Sequence, residues 1–262
     1  MHATATNRSI KRTSRAAGEL YAAIFLLAPL GFLIGKSPVT SLGEGESATF
    51  AIAQNEQLFR LGMLAEVGVV AIELILAALL FALFRPVSRS LALGAALTRA
   101  AEAVIQAVNL VPSFIALSAA TGTGVYAEMA LASRETVVLA SMEAYEFGIL
   151  VWGLPFALHV LFLGLLVVRS RLVPAAIGWL LIAASAGYFL DSLAPMVLPG
   201  AAGVAEALVM VLAIPAELSF AVWLIVKGVR PERWRALAAE PDGATADALA
   251  ASRGPATESV GA

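Results

Sequence analysis

The chain contains no cysteine, which excludes disulfides, thiolate nucleophiles and thiolate metal ligands. Histidine is nearly absent too: there are two in 262 residues, and His2 lies in a polar leading segment, so a zinc site built mainly of imidazoles is ruled out. Charge is scarce. Only 14% of residues are charged, against roughly 25% in an ordinary soluble domain. Gly-rich phosphate loops, dinucleotide fingerprints and paired haem-ligand histidines are missing as well, so no cofactor is expected. Basic residues stand between apolar runs and form no nucleic-acid-binding stripe.

What fills the chain is apolar: 60% hydrophobic residues and a mean hydropathy of +0.87. About 20 apolar residues at 1.5 Å each cross the ~30 Å hydrocarbon layer, and six runs are long enough, at about 16–34, 58–83, 91–118, 145–168, 172–193 and 204–226. The lipid bilayer is thus the first partner, and the expected fold is an all-α six-span bundle. The first run follows Arg8, Lys11, Arg12 and Arg15, the opening pattern of a signal peptide. No small-x-small site follows Ile34, so an uncleaved first span is expected. Residues 46–55 read as a short surface helix, 119–133 as a flexible loop around TGTG, 134–143 as an amphipathic lead-in to the fourth span, and 231–262 as a disordered tail.

Cations mark the cytoplasmic side of a membrane protein. The 1–15 segment, the turns Arg85–Arg89 and Arg169–Arg171, and the chain after Val226 are all basic. The alternate loops carry Glu44, Glu46, Glu56, Glu128 and Glu143 and few cations. Six spans with both termini cytoplasmic satisfy every loop at once. No inverted repeat of the kind found in many transporters is visible.

Polar residues inside the spans are the functional clue, because ionisable groups in hydrocarbon are costly. In the third span Arg99, Glu102, Gln106, Asn109 and Ser113 recur at intervals of three and four, one face of a helix. In the second, Glu66 and Glu73 share a face, as do Glu206 and Glu217 in the sixth. Counted from the nearest basic turn, Glu73, Arg99, Glu102, His159 and Glu217 all sit roughly 15–20 Å into the membrane. A shared cluster of Glu73, Arg99, Glu102, Gln106, His159 and Glu217 is expected, with Glu73 paired to Arg99. Asp191, Glu66 and Glu206 lie nearer the outer surface, where capping or solvated roles suffice.

Three carboxylates against one arginine leave excess negative charge, relieved by a proton on Glu102 or Glu217 or by a bound cation. Proton- or ion-linked handling or sensing of a small solute is the reading this suggests. The same groups could instead hold helices in register as a scaffold or accessory subunit. A membrane enzyme would need Ser113, Ser185 or Ser192, or a metal, beside His159; one imidazole with carboxylates is a donor set a metal can use. Pro112, Gly153, Pro155 and Pro215 lie beside the cluster, where proline frees a carbonyl one turn earlier.

Several stretches carry a family likeness: NEQLFRLG from Asn55 to Gly62, FRPVSRSLAL from Phe84 to Leu93, GLLVVRSRLVP from Gly164 to Pro174, GYFLDS from Gly187 to Ser192, and PAELSFAVWLIVKG from Pro215 to Gly228. With these the chain resembles the integral-membrane proteins of domain-of-unknown-function family 4386. The resemblance covers most of the chain between Arg15 and Arg230. It implies a helical protein of a bacterial cytoplasmic membrane and assigns no activity to any residue.

Overall fold

A computed structural model describes residues 2–43 and 46–239, and the described residues are helical with short connections. Six helical stretches are long and apolar enough to cross a membrane: Arg8–Val39, Glu56–Phe84, Arg89–Thr121, Leu131–Ser170, Ala175–Val197 and Gly203–Val226.

Span 1 is α1 (His2–Pro29) continued by a π-helical turn, Leu30–Ile34. Two short helices follow, α2 (Ser37–Thr40) and α3 (Ala48–Gln54), then α4 (Glu56–Phe84) and α5 (Arg89–Thr121) as spans 2 and 3. Spans 4 and 5 are α6 (Leu131–Ser170) and α7 (Ala175–Val197). Span 6 is composite: α8 (Ala202–Leu208), a π-helical segment Val209–Ala213, and α9 (Ile214–Val226). The chain then forms α10 (Pro231–Ala239).

Local chemistry sets the boundaries. Ser88 caps α5 by accepting a hydrogen bond from the Leu91 amide at 3.4 Å, and Gly122 ends that helix in the left-handed region (φ 64°), where glycine carries no steric penalty. α5 and α6 run unbroken through Pro112 and Pro155. Pro29 and Pro215 instead accompany the two π-helical segments. Proline donates no amide hydrogen, so the carbonyl one turn earlier is released and the ladder can relax to the wider repeat.

The spans form a closed ring. Each of α4, α5, α6 and α7 packs on the next, α7 packs on span 6, and α1 closes the ring by packing on both α9 and α4. Small residues set the crossings: a Cβ on Gly18 would meet the Ala221 carbonyl at 2.8 Å, and one on Gly164 the Gly178 carbonyl at 2.8 Å. Two apolar clusters lie toward opposite ends of the ring. One holds Leu80, Leu83, Phe84, Leu166 and Phe220; the other holds Ile52, Phe59, Leu117 and Tyr145. Along α4 and α5 the buried polar residues fall between them.

Three expectations need correction. Residues 231–239, expected to be disordered, form α10, whose Trp234 indole donates to the Leu83 carbonyl at 2.8 Å; the rest of that tail lies outside the described residues. The loop expected at 119–133 begins only after Thr121 and ends before Leu131, where α6 starts; the expected lead-in at 134–143 is present as its first turns. The short helix at 46–55 exists as α3, but Ala48 and Ile52 are buried within the molecule. The Glu135 carboxylate caps it, accepting from the amides of Ala48 (2.8 Å) and Thr49 (3.0 Å) and from Ser47 Oγ.

Candidate functional site

The polar residues of α5 present one face, and Arg99, Glu102, Gln106, Asn109 and Ser113 are all buried. The structure divides them between two groups at different depths.

The deeper group centres on Arg99. Its Nε lies 3.3 Å from Glu102 Oε1, its Nη1 donates to the Tyr21 hydroxyl at 3.4 Å, and its guanidinium stacks on the rings of Tyr21 (4.9 Å) and Phe156 (5.7 Å). His159 Nδ1 lies 2.8 Å from the Ala95 carbonyl. A carbonyl only accepts, so Nδ1 carries the proton and Nε2 accepts from the Tyr21 hydroxyl at 3.2 Å. Arginine, tyrosine, imidazole and carbonyl thus form one directional chain across spans 3, 1 and 4.

The expected pairing of Glu73 with Arg99 is replaced by Arg99–Glu102. Three residues apart on one helix, these two face each other over a single turn, whereas Glu73 would have to reach from α4. Glu73 is buried, and its Oε2 has no hydrogen-bond partner among the described residues. Glu217 accepts from the Tyr188 hydroxyl at 2.6 Å. Of the expected cluster, Arg99, Glu102 and His159 are joined directly or through Tyr21. Glu217 is tied to span 5, and Gln106 belongs to the other group.

That second group is built around Lys36, which the sequence reading passed over. Lys36 is 1% exposed and Glu66 2%, which overturns the solvated role expected for Glu66. Lys36 Nζ lies 3.3 Å from Glu66 Oε1, donates to Ser113 Oγ at 2.8 Å, and sits over the rings of Phe59 (4.4 Å) and Tyr145 (4.5 Å). Gln106 Nε2 donates to Glu66 Oε2 at 3.2 Å. The cause is the far end of span 1, which packs closely along α4 at a glycine crossing: a Cβ on Gly62 would come 2.5 Å from Gly35 Cα. The available signal was a lysine directly after an apolar run on the otherwise acidic side, and tyrosines within spans.

Between the groups lies a cavity of about 580 Å³ whose lining includes Tyr21, Glu66, Glu73, Arg99, Gln106, Tyr145, Trp152, Tyr188 and Glu217. Glu102 and His159 stand behind this lining. Both π-helical segments contribute to it, through Phe32 and Leu33 in span 1 and Met210 in span 6. Leu33 is 62% and Met210 59% exposed, so the cavity opens sideways between spans 1 and 6. Near the basic end these spans touch, with Tyr21 edge-on to Phe220 at 5.6 Å. Farther out the π-helical turn of span 1 leans on α4, and that of span 6 on α7. Glu206 is exposed and also lines the cavity.

Both His159 nitrogens are engaged by Tyr21 and Ala95, and neither partner is a serine. Among the described residues no three His, Asp or Glu side chains converge as a metal ion would require.

A ring of six apolar helices around buried charged groups defines a multi-pass α-helical membrane protein. The chain belongs to the family described as a domain of unknown function (DUF4386), whose model matches residues 16–228. No curated protein and no solved structure matches it.

Proposed function

We propose that the protein binds a small, largely apolar solute within the membrane and links that binding to a proton or cation at Glu73 and Glu217, in the cytoplasmic membrane of a bacterial cell. The supporting observation is the cavity: it is large enough for a small organic molecule, open toward lipid, and floored by carboxylates. Ionisable residues inside spans characteristically line such pathways. Glu217 lies within electrostatic range of Arg99 and Glu102 from α5 and Tyr21 from α1, besides its bond to Tyr188 of α7. A proton gained or lost there is therefore felt across four spans.

The scaffold reading has support of its own, because the Lys36–Glu66 ion pair and the Gln106–Glu66 and Tyr188–Glu217 hydrogen bonds tie spans together. The two readings separate experimentally. Purified protein in nanodiscs is titrated with the neutral, lipid-soluble dye N-phenyl-1-naphthylamine. Saturable binding above that of empty nanodiscs is expected, lost on Ala28→Trp, which adds bulk at a span 1 residue that lines the cavity. The affinity should vary between mildly acid and mildly alkaline pH in the wild type and become flat in Glu217→Gln. Absence of saturable binding, with clear loss of thermal stability in both Glu73→Gln and Glu217→Gln, would put the scaffold reading first.

A further inference from the structure

The walls of the cavity dictate the charge of whatever occupies it. Five carboxylates lie in or just behind the lining, Glu66, Glu73, Glu102, Glu206 and Glu217, against two cations, Lys36 and Arg99. Each cation already has a carboxylate, Lys36 in Glu66 and Arg99 in Glu102, both at 3.3 Å. His159 is fully buried next to the Tyr21 hydroxyl that binds Arg99, a setting that favours the neutral ring, with Nδ1 donating to Ala95 and Nε2 accepting from Tyr21. Glu73 and Glu217 line the cavity with no ion pair of their own among the described residues, Arg99 lies within electrostatic range of both, and Glu206 stands at the open side.

Glu73 carries the most weight. It is 2% exposed, lines the cavity, and its Oε2 has no hydrogen-bond partner among the described residues. A buried carboxylate oxygen without a donor is strongly unfavourable, and a cation in the cavity would relieve it. Aromatic rings share the lining. Trp152 stacks on Phe156 with ring centroids 4.7 Å apart, and Phe156 meets Tyr188 edge-on at 4.6 Å. Ring faces attract cations, most strongly when water is excluded. A bare metal ion fits poorly here, since no three acidic or imidazole ligands converge among the described residues. The route in, past Leu33 and Met210, is apolar.

We propose that the cavity is a site for a lipophilic organic cation, an aromatic or alkyl body bearing a quaternary or protonated centre, which arrives from the lipid between spans 1 and 6. The proposal rests on the solute-binding reading above and specifies its ligand class. Glu73 and Glu217 supply the countercharge, Trp152 and Tyr188 supply the cation–π surface, and Phe156, whose ring already carries Arg99, adds apolar wall.

The test uses the full chain in nanodiscs, with empty nanodiscs as the baseline for partitioning into lipid. Tetraphenylphosphonium and tetraphenylborate have the same shape and opposite charge. The phosphonium should bind saturably and at least about tenfold more tightly, roughly the discrimination of one charged contact. Glu73→Gln and Glu217→Gln should each erase most of that difference. Trp152→Leu, which changes no charge, should weaken the phosphonium while the borate remains the poorer ligand. If the borate binds as well as the phosphonium to the wild type, while the neutral naphthylamine still saturates, the cation class is overturned and the solute-binding reading stands. If none of the three binds saturably, both fall.

Discussion

Lys36 and Glu66 show how much a single residue can hold in this molecule. Both are almost wholly buried, and the two form an ion pair at 3.3 Å. Removing one partner of a buried pair costs about 3–5 kcal/mol, while replacing both by apolar residues is often neutral. Lys36→Met and Glu66→Leu should each lower stability in detergent by about that amount, and the double variant should lose far less than the sum. A double-mutant cycle on denaturant or thermal midpoints reads the coupling directly. Additive losses would mean that the contacts of Lys36 with Phe59, Tyr145 and Ser113 hold it, and not the carboxylate.

At the scale of helices, the decisive contact is the crossing of span 1 over α4. Gly35 and Gly62 meet backbone to backbone, and an added Cβ on Gly62 would sit 2.5 Å from Gly35 Cα. No flexible side chain is there to yield, so the helices themselves must separate. Gly62→Ala is expected to cost about 1–3 kcal/mol, the usual penalty of overpacking. Gly203→Ala makes the contrast: a Cβ there meets nothing within 4 Å, the position lies in α8, and alanine should add about 0.5–1 kcal/mol. Thermal melts of the two variants should shift in opposite directions.

The element scale also shows what periodicity can and cannot reveal. Intervals of three and four placed the polar residues of α5 on one face, because side-chain direction along a helix follows from its 3.6-residue repeat alone. Partners on other helices do not follow from that repeat. Counting residues from the basic turns put Glu73, Arg99, Glu102, His159 and Glu217 at one level, but it carried no information about azimuth. Glu102 therefore turned out to face Arg99 on its own helix, and Gln106 to face Glu66. Tyr21 and Tyr188, which tie these groups together, have no charge to draw attention in an apolar run.

For the whole molecule, the distribution of basic residues leads to the proposal that both termini and the turns after spans 2 and 4 are cytoplasmic. The chain has no native cysteine, so each introduced thiol is unique. A membrane-impermeant maleimide applied to intact cells should label Val125→Cys, at a position 83% exposed in the connection between spans 3 and 4. It should reach Ser90→Cys, beside the Arg85–Arg89 turn, only after permeabilisation. The reverse pattern would invert the topology.

The number of spans and the membrane class were determined by sequence alone, because crossing a bilayer demands about 20 apolar residues and the six runs are unmistakable in length. The inward direction of the polar stripe on span 3 was likewise implicit in local spacing. Only tertiary structure decided which charges meet, that Lys36 is buried against α4, and that spans 1 and 6 diverge to open a cavity. Those outcomes depend on backbone approach at Gly35 and Gly62, on the ladder relaxing near Pro29 and Pro215, and on ring closure between the first and last spans. The Lys36–Glu66 pair, the Gly35–Gly62 contact and the closure of span 1 on span 6 join residues distant in the chain, and only packing brings such residues together.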